Sequence, residues 1–276
     1  MLVDKNLCRG LCRGLYRGLF ERMLVTAAIC FFGFGCGGSG DEGDYGGNNS
    51  APVPGKSAEG WLSDYADERA SCDASEEELS ALAHVTIQDT TIYVGWEQVS
   101  ANNQDPIVAR FDRGERVYCR YHETETPDGR AVAITWDGGE TAYVVYTVVG
   151  GGTSLEGKGG WLSSYAPGAI SGGGPRVSYV GKINAENGDL VAGTFVIAVK
   201  SDNKVNTHRP AGPVTVLENG EVEFLGESAH KPIDSDGRNA MDCTDYPFSS
   251  RYRFSPDLTS LVCADCTNCV SQTPCE

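Results

Sequence analysis

Methionine, tryptophan and histidine are scarce in these 276 residues, at three, four and four. Basic groups run short as well: 22 Lys and Arg stand against 38 Asp and Glu, a formal charge of −16. Nucleic-acid phosphates need clustered Lys and Arg, so this balance excludes a general nucleic-acid binder. A spanning helix needs ~20 apolar residues to cross a ~30 Å hydrocarbon core. The apolar run at Met23–Gly35 is shorter than that. His84, His122, His208 and His230 are scattered, and none forms a metal pair at helical spacing. A G-x-S-x-G elbow, an H-E-x-x-H helix and a phosphate-cradling Gly loop are absent too. Catalysis assembled from distant loops is not excluded by these gaps.

Glycine is abundant, 35 residues or more than one in eight. That composition suits a turn-rich β protein rather than a helical bundle. The length allows one large domain or two small ones, with an ample core. Eleven cysteines point to an oxidising compartment, because cytosolic thiols stay reduced.

Residues 1–22 carry Lys5, Arg9, Arg13, Arg17 and Arg22, and the apolar run follows. A basic segment before a short apolar one has the build of a secretory signal. The run breaks into Cys36-Gly37-Gly38-Ser39, then an acidic, Gly-rich stretch. This junction resembles the lipobox of bacterial lipoproteins, with Gly35 in the small position before the Cys and Gly33 departing from the preferred Leu. The resemblance implies lipidation of Cys36, a membrane anchor, and a location in the cell envelope at a bacterial membrane. The beat LCRG-LCRG-LYRG-LFER reads as a long leader, with Met23 an alternative start, or as an amphipathic membrane-surface segment. Loss of residues 1–35 leaves 17 basic and 36 acidic groups, a net −19. Residues 37–59 have almost nothing to bury and read as a flexible tether. The expected divisions are therefore 1–36, 37–59, a β-repeat domain at 60–262 and a Cys-rich tail at 263–276.

Two self-matches organise the body. Gly60-Trp61-Leu62-Ser63 recurs as Gly160-Trp161-Leu162-Ser163, and Thr91-Ile92-Tyr93-Val94 as Thr141-Ala142-Tyr143-Val144. Around Tyr93, Tyr143 and Phe224, two apolar-alternating runs flank a polar turn. Asp137-Gly138-Gly139 and Asn219-Gly220 are strong hairpin signals, since Gly and Asn accept positive φ. A third strand follows each hairpin at residues 106–112, 177–184 and 251–257. A fourth, starting the next unit, follows at 116–119, 190–195 and 260–263. These runs predict an all-β chain of three antiparallel four-stranded units, with helix confined to at most one turn at residues 76–82, where a loop is the favoured reading. The segments DPIVARFDRGERVYCRY and GRAVAITWDGGETAYVVY resemble the repeats of bacterial β-propeller proteins. That resemblance implies a propeller-like architecture, although closed propellers use 4–8 blades. A β-sandwich built from the same hairpins is the alternative.

Cys263-Ala-Asp-Cys266-Thr-Asn-Cys269, with Cys275 beyond, is the sharpest local feature. Its two-residue gaps suit zinc, and short thiolate intervals also occur around iron–sulfur clusters. Disulfides are favoured in an exported chain. Seven cysteines follow Cys36: Cys72, Cys119, Cys243, Cys263, Cys266, Cys269 and Cys275. The number is odd, so one is left over. Cys72 and Cys119 flank the first unit and are expected to pair if their Cα atoms come within ~7 Å. Cys243 is placed to link the third unit to the tail. Asp234, Asp236 and Asp242 alternate around Gly237, an arrangement weighed as a Ca²⁺ turn against a plain Asp/Gly surface turn. Trp161 and Tyr165, in the Gly-rich insertion 150–175, are candidates for stacking on a protein or glycan ligand, but the matching Trp61 and Tyr65 of the first copy favour repeat packing. No catalytic residue and no firm cofactor emerge. The expected role is a binding or scaffolding module at the cell surface, with an extracytoplasmic hydrolase-like enzyme or a structural surface protein as alternatives.

Overall fold

Alternation and turn glycines lay down strands almost without interruption. The computed structural model describes residues 58–61, 69–125, 128–149, 153–165, 176–201 and 204–276. The expected signal, Cys36 lipobox and nearly all of the tether lie outside the described residues. The described residues open with β1 (Ala58–Trp61) and a single helical turn, α1 (Glu76–Leu79). A loop was favoured there, but Ser75 caps the turn. Its backbone N–H donates to Glu78 Oε2 at 2.7 Å while its hydroxyl accepts from the Glu78 N–H. Such reciprocal capping satisfies two donors that a helix start otherwise leaves open.

The first sheet joins β2 (Ala83–Ile87), β3 (Thr90–Ser100), β4 (Asn103–Asp112) and β5 (Glu115–Tyr121) in sequence order, all antiparallel. The second joins β6 (Gly129–Trp136), β7 (Thr141–Val149), β8 (Arg176–Asn184) and β9 (Leu190–Val196), with β1 added antiparallel beside β6. Shorter pieces follow: β10 (Ala198–Val199), β11 (Val205–Asn206), β12 (His208–Pro210) and β13 (Thr215–Val216). Then come β14 (Val222–Ser228), β15 (Lys231–Pro232), β16 (Asp242–Cys243), β17 (Phe248–Phe254), β18 (Leu261–Cys266) and β19 (Cys269–Val270). The third sheet runs β12-β14-β17-β18, and β13 also pairs with β14. Two small sheets, β11-β10-β15 and β16-β19, complete the fold.

Three antiparallel sheets, of four, five and five strands, thus stand where three four-stranded units were expected, with one correction. Each fourth strand closes its own sheet instead of opening the next: β5 pairs with β4, β9 with β8 and β18 with β17. Tight turns impose this. Arg113 and Gly114 both take positive φ (54° and 81°), which folds β5 straight back on β4. β18 (Leu261–Cys266) runs across the expected boundary after residue 262, so Cys263 and Cys266 belong to the third sheet, while Cys269 lies in the β16–β19 pair.

The second sheet is the most deeply buried. Every residue from Ala131 to Trp136 and from Ala142 to Val148 is buried, giving continuous apolar runs rather than alternation. One core contains side chains from all three sheets, among them Ile92, Val145, Phe195, Phe224 and Tyr252. The opposite face of the first sheet has a smaller core, where Leu79 and Leu82 cover Tyr93, Ile107 and Phe111. The third sheet keeps one face in water, as the alternating burial of β14 and β17 shows.

Candidate functional site

The described part of the Gly-rich insertion, residues 153–165, packs against the sheets. Tyr165 is buried edge-on against Phe195 at 4.9 Å between ring centroids. Trp161 lies half-buried against Tyr252 (6.1 Å) and Phe254 (6.0 Å), and its Nε1–H donates to the Ser235 carbonyl at 3.2 Å. Both rings are therefore engaged in packing that ties the insertion to the second and third sheets. The repeat match has a structural counterpart. Gly60 lies against the His84 main chain and Gly160 against that of Gly193, neither with room for a Cβ.

The three aspartates weighed for Ca²⁺ do different jobs. Asp234 is buried, and its Oδ1 accepts from the Ser235 and Gln272 N–H groups and from Ser271 Oγ. Asp236 Oδ1 accepts from the Arg238 and Asn239 N–H groups at 2.8 and 2.9 Å, and these bonds hold its carboxyl below the usual range against the opposing effect of its partial burial. Asp242 is exposed and stands 3.9 Å from Lys231 Nζ. Two of the three thus spend their oxygens on turn hydrogen bonds.

All seven cysteines are engaged. Cys72 pairs with Cys119 (Cα–Cα 5.6 Å) and Cys263 with Cys275 (5.1 Å). The first pair fastens the segment ahead of α1 to edge strand β5. The second fastens the C-terminal residues beside β18, where the Ala264 N–H also donates to the Thr273 carbonyl. Cys243, Cys266 and Cys269 converge, with their three sulfurs all within 4.8 Å of one another. Among the described residues, no other group of three His, Cys, Asp or Glu ligand atoms gathers in this way.

Two histidines, His208 buried and His122 partly buried, brace the sheets. The ring of His208, wholly enclosed, bridges Ser178 Oγ (3.1 Å, on β8) and Ser250 Oγ (2.8 Å, on β17). A Ser–His contact can serve nucleophilic chemistry, but all three side chains are shut away from solvent, so here it joins the second sheet to the third. Burial pushes the His208 imidazole down to about 3. His122 donates from Nε2 to the Gly188 carbonyl (2.7 Å), which leaves Nδ1 to accept from Tyr146 Oη (2.5 Å). Its pKa is lowered to about 4, chiefly by desolvation. Next to it, Glu123 is fully buried. Oε1 accepts from the Glu125 N–H at 2.8 Å, whereas Oε2 has no hydrogen-bond partner among the described residues. Burial raises its pKa, which favours the protonated form.

The concavity with ligand-like chemistry lies where the first two sheets meet. It holds about 370 Å³, lined by Gln88 of the β2–β3 turn, Arg110 of β4, Trp136, Asp137 and Glu140 of the β6–β7 hairpin, and Glu186 of the β8–β9 turn. Arg110 forks onto Asp112 (2.9 and 3.0 Å) and donates to the Ala185 carbonyl (2.9 Å), locking one wall. The Arg110 guanidinium in turn holds the Asp112 carboxyl below its usual range. Trp136 donates to the Gly139 carbonyl at 2.7 Å and fixes the other wall. Asp137, Glu140 and Glu186 present carboxylates at the exposed rim. Sequence reading marked the hairpin turns at Asp137 and Gln88 and the strand at residues 106–112 that carries Arg110. These members and Glu186 come from places far apart in the chain, and no spacing signal joins them.

No helix among the described residues is long and apolar enough to cross a membrane. No family model matches the chain, and no curated protein matches its sequence. Among solved structures, quinohemoprotein alcohol dehydrogenase from Comamonas testosteroni superimposes with a TM-score of 0.28 at 12% identity, over 73% of this chain and 48% of that one. This chain spans about half that protein's length, and so loose a superposition establishes no kinship.

Proposed function

We propose that the chain is a bacterial envelope lipoprotein, anchored through Cys36, whose propeller-like β-repeat body is a binding module for a polar, hydroxyl-rich ligand such as a glycan. The observation that carries the binding role is the cleft between the first two sheets. Its volume of about 370 Å³ falls in the range of small-molecule sites. Its rim carboxylates can accept hydrogen bonds from hydroxyl or ammonium groups, and with a net charge near −19 after loss of the leader the body repels anions. The walls are fixed by Arg110–Asp112 and by Trp136, so a ligand meets a site formed in advance. Anchoring rests on the Cys36 junction and the tether that follows it.

A glycan array of envelope and host saccharides, followed by calorimetry, tests the binding role. Glu140→Gln with Glu186→Gln should weaken binding about tenfold or more, the worth of one or two charge-assisted hydrogen bonds. Unchanged affinity in the double variant would remove the cleft from consideration. For the anchor, wild type should incorporate labelled fatty acid and sediment with membranes, while Cys36→Ser should do neither. A Cys36→Ser protein that stays membrane-bound refutes the lipoprotein reading.

A further inference from the structure

Cys243, Cys266 and Cys269 are three sulfurs with one disulfide to share. Three independent features bring them together. Cys243 and Cys269 stand directly opposite each other in the β16–β19 pair. Cys266 and Cys269 flank the two-residue turn from β18 to β19, with Cα atoms 5.2 Å apart. All three sulfurs lie within 4.8 Å of one another. A sulfur forms one disulfide at a time, and the remaining four cysteines beyond residue 58 are committed to Cys72–Cys119 and Cys263–Cys275.

We propose that this trio is a thiol–disulfide exchange centre in which Cys269 alternates between Cys243 and Cys266, leaving one thiol in either state. In the exchange, Cys243 loses its proton and the thiolate attacks the Cys269 sulfur. The Cys243–Cys269 bond forms as the Cys266–Cys269 bond breaks, and Cys266 leaves as a thiolate that takes up a proton. One disulfide and one thiol stand on both sides, so no oxidant or reductant is consumed. Each resting thiol has an acceptor: Cys243 Sγ lies 3.5 Å from the Met241 carbonyl, and Cys266 Sγ 3.3 Å from that of Thr267. The two states differ mechanically. With Cys243–Cys269 closed, the bond spans 26 residues and holds β16 to the third sheet. With Cys266–Cys269 closed, it spans three residues and β16 is covalently free. They differ in surroundings too. A groove of about 400 Å³ on the outer face of the third sheet, lined by Leu225, Arg251, Asp265 and Thr267, runs past Cys266, whereas Cys243 does not line it. Exchange therefore moves the thiol between two buried positions, of which only that of Cys266 borders the groove.

Peptide mapping of the full chain tests this. The purified protein, equilibrated at pH 8, is denatured in acidic guanidinium chloride with N-ethylmaleimide, because acid halts exchange by protonating thiolates. The expected map shows Cys72–Cys119 and Cys263–Cys275 as single linkages. The trio should give both Cys243–Cys269 and Cys266–Cys269, with the maleimide divided between Cys266 and Cys243. Cys243→Ser should collapse the trio to Cys266–Cys269 alone, and Cys266→Ser to Cys243–Cys269 alone, each with loss of the maleimide label. A single trio linkage in wild type overturns the proposal. So does bonding of a trio member to any cysteine outside it, or three reduced trio thiols holding one zinc per chain.

Discussion

A buried imidazole with both nitrogens occupied is a structural part and also a proton-linked one. In the fold His208 resists protonation down to about pH 3, whereas in the unfolded chain it gains a proton near its ordinary value of 6.5. Below that pH the unfolded state binds more protons, so stability falls as pH drops from about 6.5 to 3. The slope approaches ~1.4 kcal/mol per pH unit from this one group. Denaturant titrations across that window should show the slope, and His208→Gln should reduce it, leaving the like contribution of His122 above about pH 4, while costing stability at neutral pH. An unchanged slope would mean that another group carries the linkage. Glu123 works in the opposite sense. Its raised pKa stabilises the fold at low pH, and that contribution is lost as pH rises from the ordinary carboxylate value through the raised one. A second residue-scale expectation concerns Gly160, whose missing side chain lets its backbone lie against Gly193. Gly160→Ala should cost about 1–3 kcal/mol through overpacking. Gly212→Ala, with nothing within 4 Å of the added carbon, should stay within ~0.5 kcal/mol. Equal midpoints for the two variants would undo this reading of the repeat.

Strands were legible because each local rule agreed. Apolar alternation marked β2–β3 and β14, continuous apolar runs marked β6–β7, and Gly138 and Gly220 take the positive φ (90° and 83°) their hairpins require. Pairing order was less legible. Sequence shows that a fourth strand exists, but not which neighbour receives its hydrogen bonds, and the Arg113-Gly114 turn settled that for β5. Packing of Trp161 and Tyr165 was legible from their match to Trp61 and Tyr65, but their partners Tyr252, Phe254 and Phe195 were not, since those lie far along the chain. The staples at the sheet edges allow a ranking. Cys72–Cys119 closes 47 residues and Cys263–Cys275 closes 12. Loop-closure entropy assigns ~4 kcal/mol to the first and ~3 to the second. The paired serine variant at Cys72 and Cys119 should therefore lose more stability in urea than the pair at Cys263 and Cys275. The reverse order would show that the tail bond carries native contacts beyond its loop, through the Ala264–Thr273 hydrogen bond it secures.

Residues 47–276 form one unit by their contacts, and what unites them lies in no single sheet. Tyr252 is the clearest case. It is wholly buried on β17, hydrogen-bonded to the Ile233 carbonyl at 2.7 Å, stacked on Phe254 and tilted against Trp161 of the insertion. The His208 ring beside it reaches Ser178 of the second sheet, whose Tyr146, Tyr179 and Phe195 carry the aromatic packing onward. The candidate cleft is likewise a product of sheet-on-sheet placement, which explains why composition and spacing could not announce it. A repeat array with weak interfaces would melt unit by unit, but a shared core ties the units into one transition. Urea unfolding of the intact chain should therefore give coincident curves by tryptophan fluorescence, which reports Trp96, Trp136 and Trp161 in different parts of the core, and by circular dichroism. Tyr252→Ala should cost about 3–5 kcal/mol, in line with deletion of a buried aromatic, and move both curves together. If the fluorescence of Trp136 held to higher urea while the β signal of the third sheet was lost first, the sheets would be separate folding units. The Ser178–His208–Ser250 brace would then be a contact between them and no part of a common core.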